Sequence, residues 1–333
     1  MAITVVGELG LDLRGPEANN MFLKPIFFDE SVPDLFEVMP QVLYEQKIAY
    51  ASTMKDIIQR AVSCGMQPKG DFDIYERTMT VDPVGAYVEM CYDELLNTVY
   101  QQLLKQGTDI SDLSGTLVES IARQRFQEGI RKDLEKLAFY GNKAYTANPD
   151  EIVNINQTDG MWVYLFGLVA KDVIPYINTG SGAALNAGDG IEIMQEVWQN
   201  QANVLKAVPN SNKVFLVTTD LYYQYKEDLQ FGTASSSAFI PTLEQGVGGD
   251  LYQGIEVRPM WDWQGYANRF QGIDQAHQVI LTTKDNMVMG TNVANPRSEF
   301  RSWYDIDSEL YKMRSKFVAG FNYKYEEFFV VGY

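Results

Sequence analysis

The chain is nearly empty of the residues on which most enzyme sites are built. Its 333 residues include one histidine, His277, and two cysteines, Cys64 and Cys91. Histidine is the commonest general acid or base because its pKa lies near neutrality. A single one, in Asp274-Gln-Ala-His-Gln278 with no second histidine or cysteine nearby, provides neither a catalytic cluster nor a histidine-rich metal site. Two thiols 27 residues apart, with no ligand pattern around them, read as small buried hydrophobes in a reducing compartment. No run of 18 apolar residues exists, so no membrane-spanning helix is expected. The start, Met1-Ala-Ile-Thr-Val-Val6, lacks the charged beginning and long apolar core of a signal peptide, and the product is expected in the cytoplasm where it is made. Basic charge is also short: 27 Lys and Arg stand against 44 Asp and Glu, a net of −17. A protein that grips phosphates carries the opposite excess, which excludes sequence-specific nucleic-acid binding as the main task. Such acidity keeps a subunit soluble and resists premature association.

The motifs that could still carry chemistry fail on spacing. Gly246-Val-Gly-Gly-Asp-Leu-Tyr-Gln-Gly254 lacks the Lys-Ser or Lys-Thr that opens a helix in a phosphate-binding loop. It is not the dinucleotide fingerprint either, because a strand follows it; it reads as a loop or turn. Paired acids occur at Asp71/Asp73, Asp305/Asp307 and Glu326/Glu327, and two carboxylates can hydrolyse a glycoside when spaced across a sugar. With 44 acids in the chain such pairs arise by coincidence, and no loop pattern organises them for calcium. No catalytic residue, cofactor or metal is therefore expected.

What the chain does have is apolar substance and one long rod. Hydrophobic residues make up 46% and aromatics 13%, enough to exclude wholesale disorder and to bury a sizeable core. Twenty tyrosines fit equally with subunit interfaces and with half-buried strands. Leu113, Leu117, Ile121, Phe126, Ile130, Leu134 and Leu137 follow a helical period, uninterrupted by proline up to Gly141-Asn142, where a left-handed C-terminal turn is expected. A helix over 113–140 would reach about 40 Å at 1.5 Å per residue, against about three turns for an average helix. Its cap is open between Asp112, Ser114 and Thr116. Arg123, Arg125, Arg131, Lys132 and Lys136 on it read as a solvated face paired with Glu128, Asp133 and Glu135, or as a contact for an acidic neighbour or packaged nucleic acid.

Ahead of the rod lies a glycine- and proline-punctuated arm with Phe22, Phe27 and Phe28, residues costly to leave in water. Strands are expected at 42–50, 74–79 and from Val84, with a turn region around Pro68-Lys-Gly70 and a helix opening at Asp93. After the rod, 149–176 is mixed and 178–190 is a small-residue loop. Asp189 is expected to cap a helix with Ile191, Met194, Trp198, Ala202 and Leu205 inward. Lys213-Val-Phe-Leu-Val-Thr218 and the helix 220–229 form a small α/β unit. Strands are then expected at 255–260, 279–283, 287–289, 299–306, 317–325 and 328–331.

In this order the elements resemble the major capsid protein of tailed double-stranded DNA phages, with the Hong Kong 97-type fold. The residues that carry the resemblance are Gly141-Asn142 at the end of the rod, the strand Lys213–Thr218 with helix 220–229, Gly254-Ile-Glu-Val-Arg-Pro-Met260, Gln278-Val-Ile-Leu-Thr-Thr-Lys-Asp-Asn-Met-Val-Met-Gly290, and the closing strands 299–333. The resemblance implies an α+β fold: an N-terminal arm at 1–41, an extended hairpin (the E-loop) at 42–80, a peripheral domain at 81–160 with the spine helix 113–140, an axial domain at 161–297, and closing strands of the peripheral domain at 298–333. It implies a virion shell of pentamers and hexamers of this chain around double-stranded DNA, with non-specific DNA contact at most. Portal, scaffold and decoration proteins are the implied partners, the scaffold being a separate protein, and no membrane is involved. No subunit cross-linking activity is carried over. Arg60, Lys69 and Arg77 are the candidate inter-subunit charges. An encapsulin-like nanocompartment shell protein shares this reading. A hydrolase using paired carboxylates, or a tail or surface-lattice protein forming tubes or sheets, are the alternatives of other kinds.

Overall fold

The computed structural model describes residues 10–14, 35–51, 58, 74–91, 117–145, 155–180, 184–231, 251–271, 275–292, 299–305, 307–308 and 310–333. Among these described residues it is a mixed α+β structure with two six-stranded sheets and one two-stranded ladder. The strands in chain order are β1 (Gly10–Arg14), β2 (Glu37–Met39), β3 (Glu45–Ala51), β4 (Ile74–Thr80), β5 (Asp82–Cys91), β6 (Tyr176–Ile177) and β7 (Lys213–Thr218). They continue as β8 (Leu251–Tyr252), β9 (Ile255–Met260), β10 (Val279–Thr283), β11 (Met287–Thr291), β12 (Glu299–Asp305), β13 (Leu310–Tyr323) and β14 (Val330–Gly332). The helices are α1 (Leu117–Tyr140), α2 (Met161–Val169), α3 (Asp189–Gln199), α4 (Asn203–Ala207), α5 (Thr219–Phe231) and α6 (Trp263–Phe270). Among the described residues no helix is long and apolar enough to cross a membrane.

The first sheet runs β1-β12-β13-β11-β2, with β5 on the other side of β13. Its 14-residue centre, β13, pairs with β5 and β12 along its first part and with β11 along its last. Alternation sorts its side chains: Phe317, Ala319 and Phe321 enter the main core, while Val318, Gly320 and Asn322 lie on the opposite face. Leu35 and Phe36 close the core end of this sheet, with Phe36 edge-on to Phe139 and Phe321. The arm expected at 1–41 therefore contributes core residues and strand β2, while Phe22, Phe27 and Phe28 lie outside the described residues.

Helix α1 covers the core face of this sheet with Phe126, Ile130, Leu134 and Leu137. Its last turn, Leu137–Tyr140, is buried on all sides. The left-handed ending expected at Gly141-Asn142 is not what forms, since neither residue has a positive φ. Glycine is required there for space. A Cβ on Gly141 would stand 2.5 Å from the Leu137 carbonyl oxygen and collide with Thr158, because the chain returns here and Gly160 N donates to Gly141 O at 2.8 Å. Gly160 then starts α2, whose Met161, Trp162, Leu165 and Leu168 join the same core. The positions 113–116 of the expected rod, the helix at Asp93 and the acids Asp71 and Asp73 lie outside the described residues.

The second sheet runs β6-β14-β10-β7-β9-β8. Val214, Leu216, Ile280 and Val331 face the main core, and Phe215, Val217, Val279 and Leu281 face a second core under α3 and α5. Every residue of β7 is buried as a result. Helix α3 is capped by Gly188 at φ 102° rather than by Asp189. The buried carboxylate of Asp228 on α5 accepts from Gly188 N (2.7 Å) and Ile191 N (3.3 Å), satisfying amides a helix start leaves orphaned. Its inward face is Ile193, Met194 and Val197; Ile191 and Trp198 are only partly covered, and the helix ends at Gln199 before Ala202 and Leu205. The chain crosses between sheets at Lys284–Asn286. Buried Asn286 holds that crossing, donating to Tyr325 O (3.0 Å) and accepting from Tyr325 N (2.8 Å).

Candidate functional site

The histidine and the buried lysine are committed to holding the fold; Cys91, expected to be buried, is a free and only half-buried thiol, and Cys64 lies outside the described residues. His277 is 4% exposed, and its Nδ1 is hydrogen-bonded to Asp220 Oδ2 at the start of α5. Burial pushes Asp220 up, but hydrogen bonds from His277 and Thr218, the His277 charge and the Leu221 amide outweigh it, so its pKa falls below 3.8. Around this pair, the Thr179 hydroxyl donates to His277 O at 2.6 Å, and Gln278 N donates to Thr218 Oγ1 at 3.2 Å. The Tyr140 hydroxyl donates to Gln278 Oε1 at 2.6 Å, and burial drives its pKa well up. This polar junction ties the end of α1 to β7 and β10. Lys213, also buried, gives its ammonium to Gln201 Oε1 (2.9 Å) and Asn210 Oδ1 (3.2 Å), and burial lowers its pKa. Nothing in its sequence setting marks it as buried.

Of the described acid pairs, one member of each is engaged, Asp305 and Glu326. Asp305 accepts from Lys312 Nζ (2.5 Å), Ser308 Oγ (2.8 Å) and Asp307 N (3.1 Å). These bonds, Lys312 first, hold its pKa down at about 2, the opposite of what a general acid needs. Glu326 is bound to Arg77. Among the described residues no three His, Cys, Asp or Glu side chains gather as a metal site. Leu251–Gly254, the end of the glycine-rich segment, is a tight hairpin from β8 to β9 with Gln253 and Gly254 at φ 51° and 77°, the geometry of a type I′ turn. On α1, Arg125 pairs with Glu128 (2.9 Å) on the solvated face, while Lys136, whose side chain is only 14% exposed, pairs with Asp133 (2.6 Å), each three residues apart.

What stands out instead is an antiparallel ladder, β3 on β4, from Glu45↔Thr80 to Ala51↔Ile74. Its base is clamped to the outer face of the first sheet. Val42, Ile48, Met79 and Val81 pack on Val288 and Val318 in a small satellite core. Asn322 Nδ2 donates to Thr78 O at 3.0 Å. Arg77 lies flat over the Tyr323 ring, 3.6 Å from its centroid, and its Nη2 reaches Glu326 Oε2 at 3.0 Å. Of the three candidate inter-subunit cations, Arg77 is thus engaged within its own chain, while Arg60 and Lys69 lie outside the described residues. At the far end of the ladder Ile74 and Tyr75 are exposed, as is Tyr44 at its base, whose carbonyl accepts from Val81 N at 3.0 Å.

A second feature is a mainly apolar groove of about 730 Å³ between β5 and α1, with Val84, Ala86, Met90, Ile121 and Phe126 among its walls. Val88, on the groove-lining side of β5, is 43% exposed.

By sequence, neither a protein-family model nor a curated protein matches the chain. By structure, it is similar to chains of several solved particles. One, from the satellite phage P4 procapsid including its size determination (Sid) protein, is 8% identical with a TM-score of 0.58, over 93% of this chain and 96% of that one. A chain from the capsid of Myoviridae phage XM1 is 10% identical with a TM-score of 0.54, over 90% of each. A chain from the capsid of an empty GTA particle is 11% identical with a TM-score of 0.53, over 91% and 88%. At such identities the likeness is one of fold: the chain has the fold of tailed-phage capsid proteins.

Proposed function

We propose that the chain is the major capsid protein of a tailed phage, a structural protein of the virion shell without an enzymatic role. The observation that carries this reading is the agreement, over about nine-tenths of the chain, with chains from the P4 procapsid and the XM1 capsid. In these terms β3 and β4 are the base of the E-loop and α1 is the spine helix. β5, β12 and β13 of the first sheet belong to the peripheral domain, and β6–β10 of the second sheet with α3 and α5 to the axial domain. Copies associate around their axial domains into pentamers and hexamers, and the hairpin reaches onto a neighbour. Many modest contacts made simultaneously give such a shell its strength. The net charge of −17 limits sticking to packed DNA, leaving non-specific contact at most. Portal, scaffold and decoration proteins complete the set of partners.

Arg60, Lys69 and Arg77 are proposed to support contacts between subunits. For Arg77 the route is indirect, because its guanidinium fixes the hairpin to Tyr323 and Glu326. Electron microscopy of the expressed protein tests the reading as a whole. Closed shells are expected; tubes or sheets point to a lattice protein, and absent particles together with glycan hydrolysis point to a hydrolase. Arg77→Glu is expected to lower shell yield while the subunit stays folded. Normal particles from that variant count against a role for Arg77 in assembly.

A further inference from the structure

We propose that Gly290 and Gly320 form a saddle on the first sheet that sets the direction in which the β3–β4 hairpin leaves the subunit. The two glycines are cross-strand partners, Gly290 on β11 and Gly320 on β13. Neither has a positive φ, so conformational freedom does not explain them. Glycine inside a strand weakens it by removing a side chain that could pack, and a close backbone approach is the usual compensation. That approach is present. A Cβ on Gly320 would collide with the Thr80 carbonyl oxygen and come within 3.0 Å of Thr80 C and Val81 Cα. Backbone on both sides leaves nothing that can rotate away. A Cβ on Gly290 would meet the Met79 sulfur and come within 3.0 Å of Val81 Cγ1, which are side-chain atoms with some freedom.

The end of β4 thus lies directly on the sheet, held from both sides. Asn322, two residues along β13 from Gly320, binds Thr78 O, and Arg77 is fixed over Tyr323. Three consecutive residues, Arg77, Thr78 and Met79, meet three separate restraints, so the ladder cannot pivot without breaking at least one. Raising the saddle floor by one methyl group would lever the base outward and tilt the hairpin. The consequence for particle size rests on the shell reading above; the tilt itself does not.

The test places spin labels at Ala49 on β3 and Glu227 on α5, through Ala49→Cys and Glu227→Cys with Cys64→Ser and Cys91→Ser in every version. Pulsed electron–electron resonance on unassembled subunits then reads the distance between hairpin and axial layer. Gly320→Ala is expected to shift and broaden that distribution in a subunit that still melts cooperatively. Gly290→Ala is expected to give a smaller shift, which Met79→Ala in the same chain reduces. If Gly320→Ala does not fold, Gly290→Ala carries the test. Distributions that superimpose on the parent in the folded variants overturn the saddle. In assembly trials, particles of altered diameter or unclosed fragments are expected from Gly320→Ala. If the parent itself forms no shells, the capsid reading fails, while the distance measurement still decides the saddle.

Discussion

The second sheet is covered on both faces, so every residue of β7 is buried. The first sheet turns one face to the core and gives the other to charged side chains and to the base of the hairpin. The second sheet is built from short, mostly apolar strands and the first around two longer ones, β5 and β13, and burial divides their work. The doubly covered sheet contributes side chains to both large cores. The half-covered sheet carries the part that reaches outward, held by a core of a few residues, a stacked arginine and one amide. On the proposed reading as a shell subunit the chain needs both: a layer that does not yield, and an attachment whose angle is fixed more by shape than by buried area.

This contrast can be broken by mutation, starting in the doubly covered layer. Phe215→Ala empties a fully buried site of the second core and should cost about 3–5 kcal/mol in urea unfolding, felt by the entire chain. A loss under 1 kcal/mol would mean this layer is not the stabilising one. Asn286→Ala removes both hydrogen bonds to the Tyr325 backbone where the chain crosses between sheets, and should cost about 2 kcal/mol. If it uncouples the sheets, their unfolding will separate into two transitions in a calorimeter.

The buried junction below α1 gives a pH signature. Asp220 is held below 3.8 in the folded chain, so its stabilisation is present above that value and is lost as pH falls through the lower folded-state value. Asp220→Asn should therefore close part of the stability gap between pH 6 and pH 3. An unchanged pH profile would show that the His277 pair contributes nothing. The smallest effect belongs to the hairpin surface. Lys47 and Glu76 are paired but exposed, and Lys47→Ala should leave the melting temperature unmoved. A measurable loss there would erase the contrast between the sheets.

Legibility in the sequence followed the same division. β7 and β10 could be placed at their ends because each is a largely apolar run bounded by turn residues, and β9 because Ile255-Glu-Val-Arg258 alternates apolar and charged residues straight after the turn at Gly254. Helix α1 announced itself by its period. Helix α2 did not, because Met161–Val169 is apolar on every side and a run without a period reads as strand or helix alike. Helix α6 fell in a stretch read as strand after strand, and β13 begins at Leu310, not at Phe317. The turn at Asp285-Asn286 joins strands of different sheets, which no local pattern reveals. Of the candidate site, the hairpin was visible as two extended segments around a turn region. Its attachment was not, because Gly290, Gly320, Tyr323 and Glu326 are brought to β4 only by the fold; Arg77 and Glu326 are 249 residues apart.

A cryo-electron microscopy reconstruction of particles assembled from the expressed chain tests the account most directly. The account predicts closed shells of five- and six-membered rings, in which the β3–β4 ladder lies on Gly290 and Gly320 of its own subunit while its far end touches a neighbour. Particles in which that ladder is detached from the sheet, or folded back with no contact to another subunit, would contradict it.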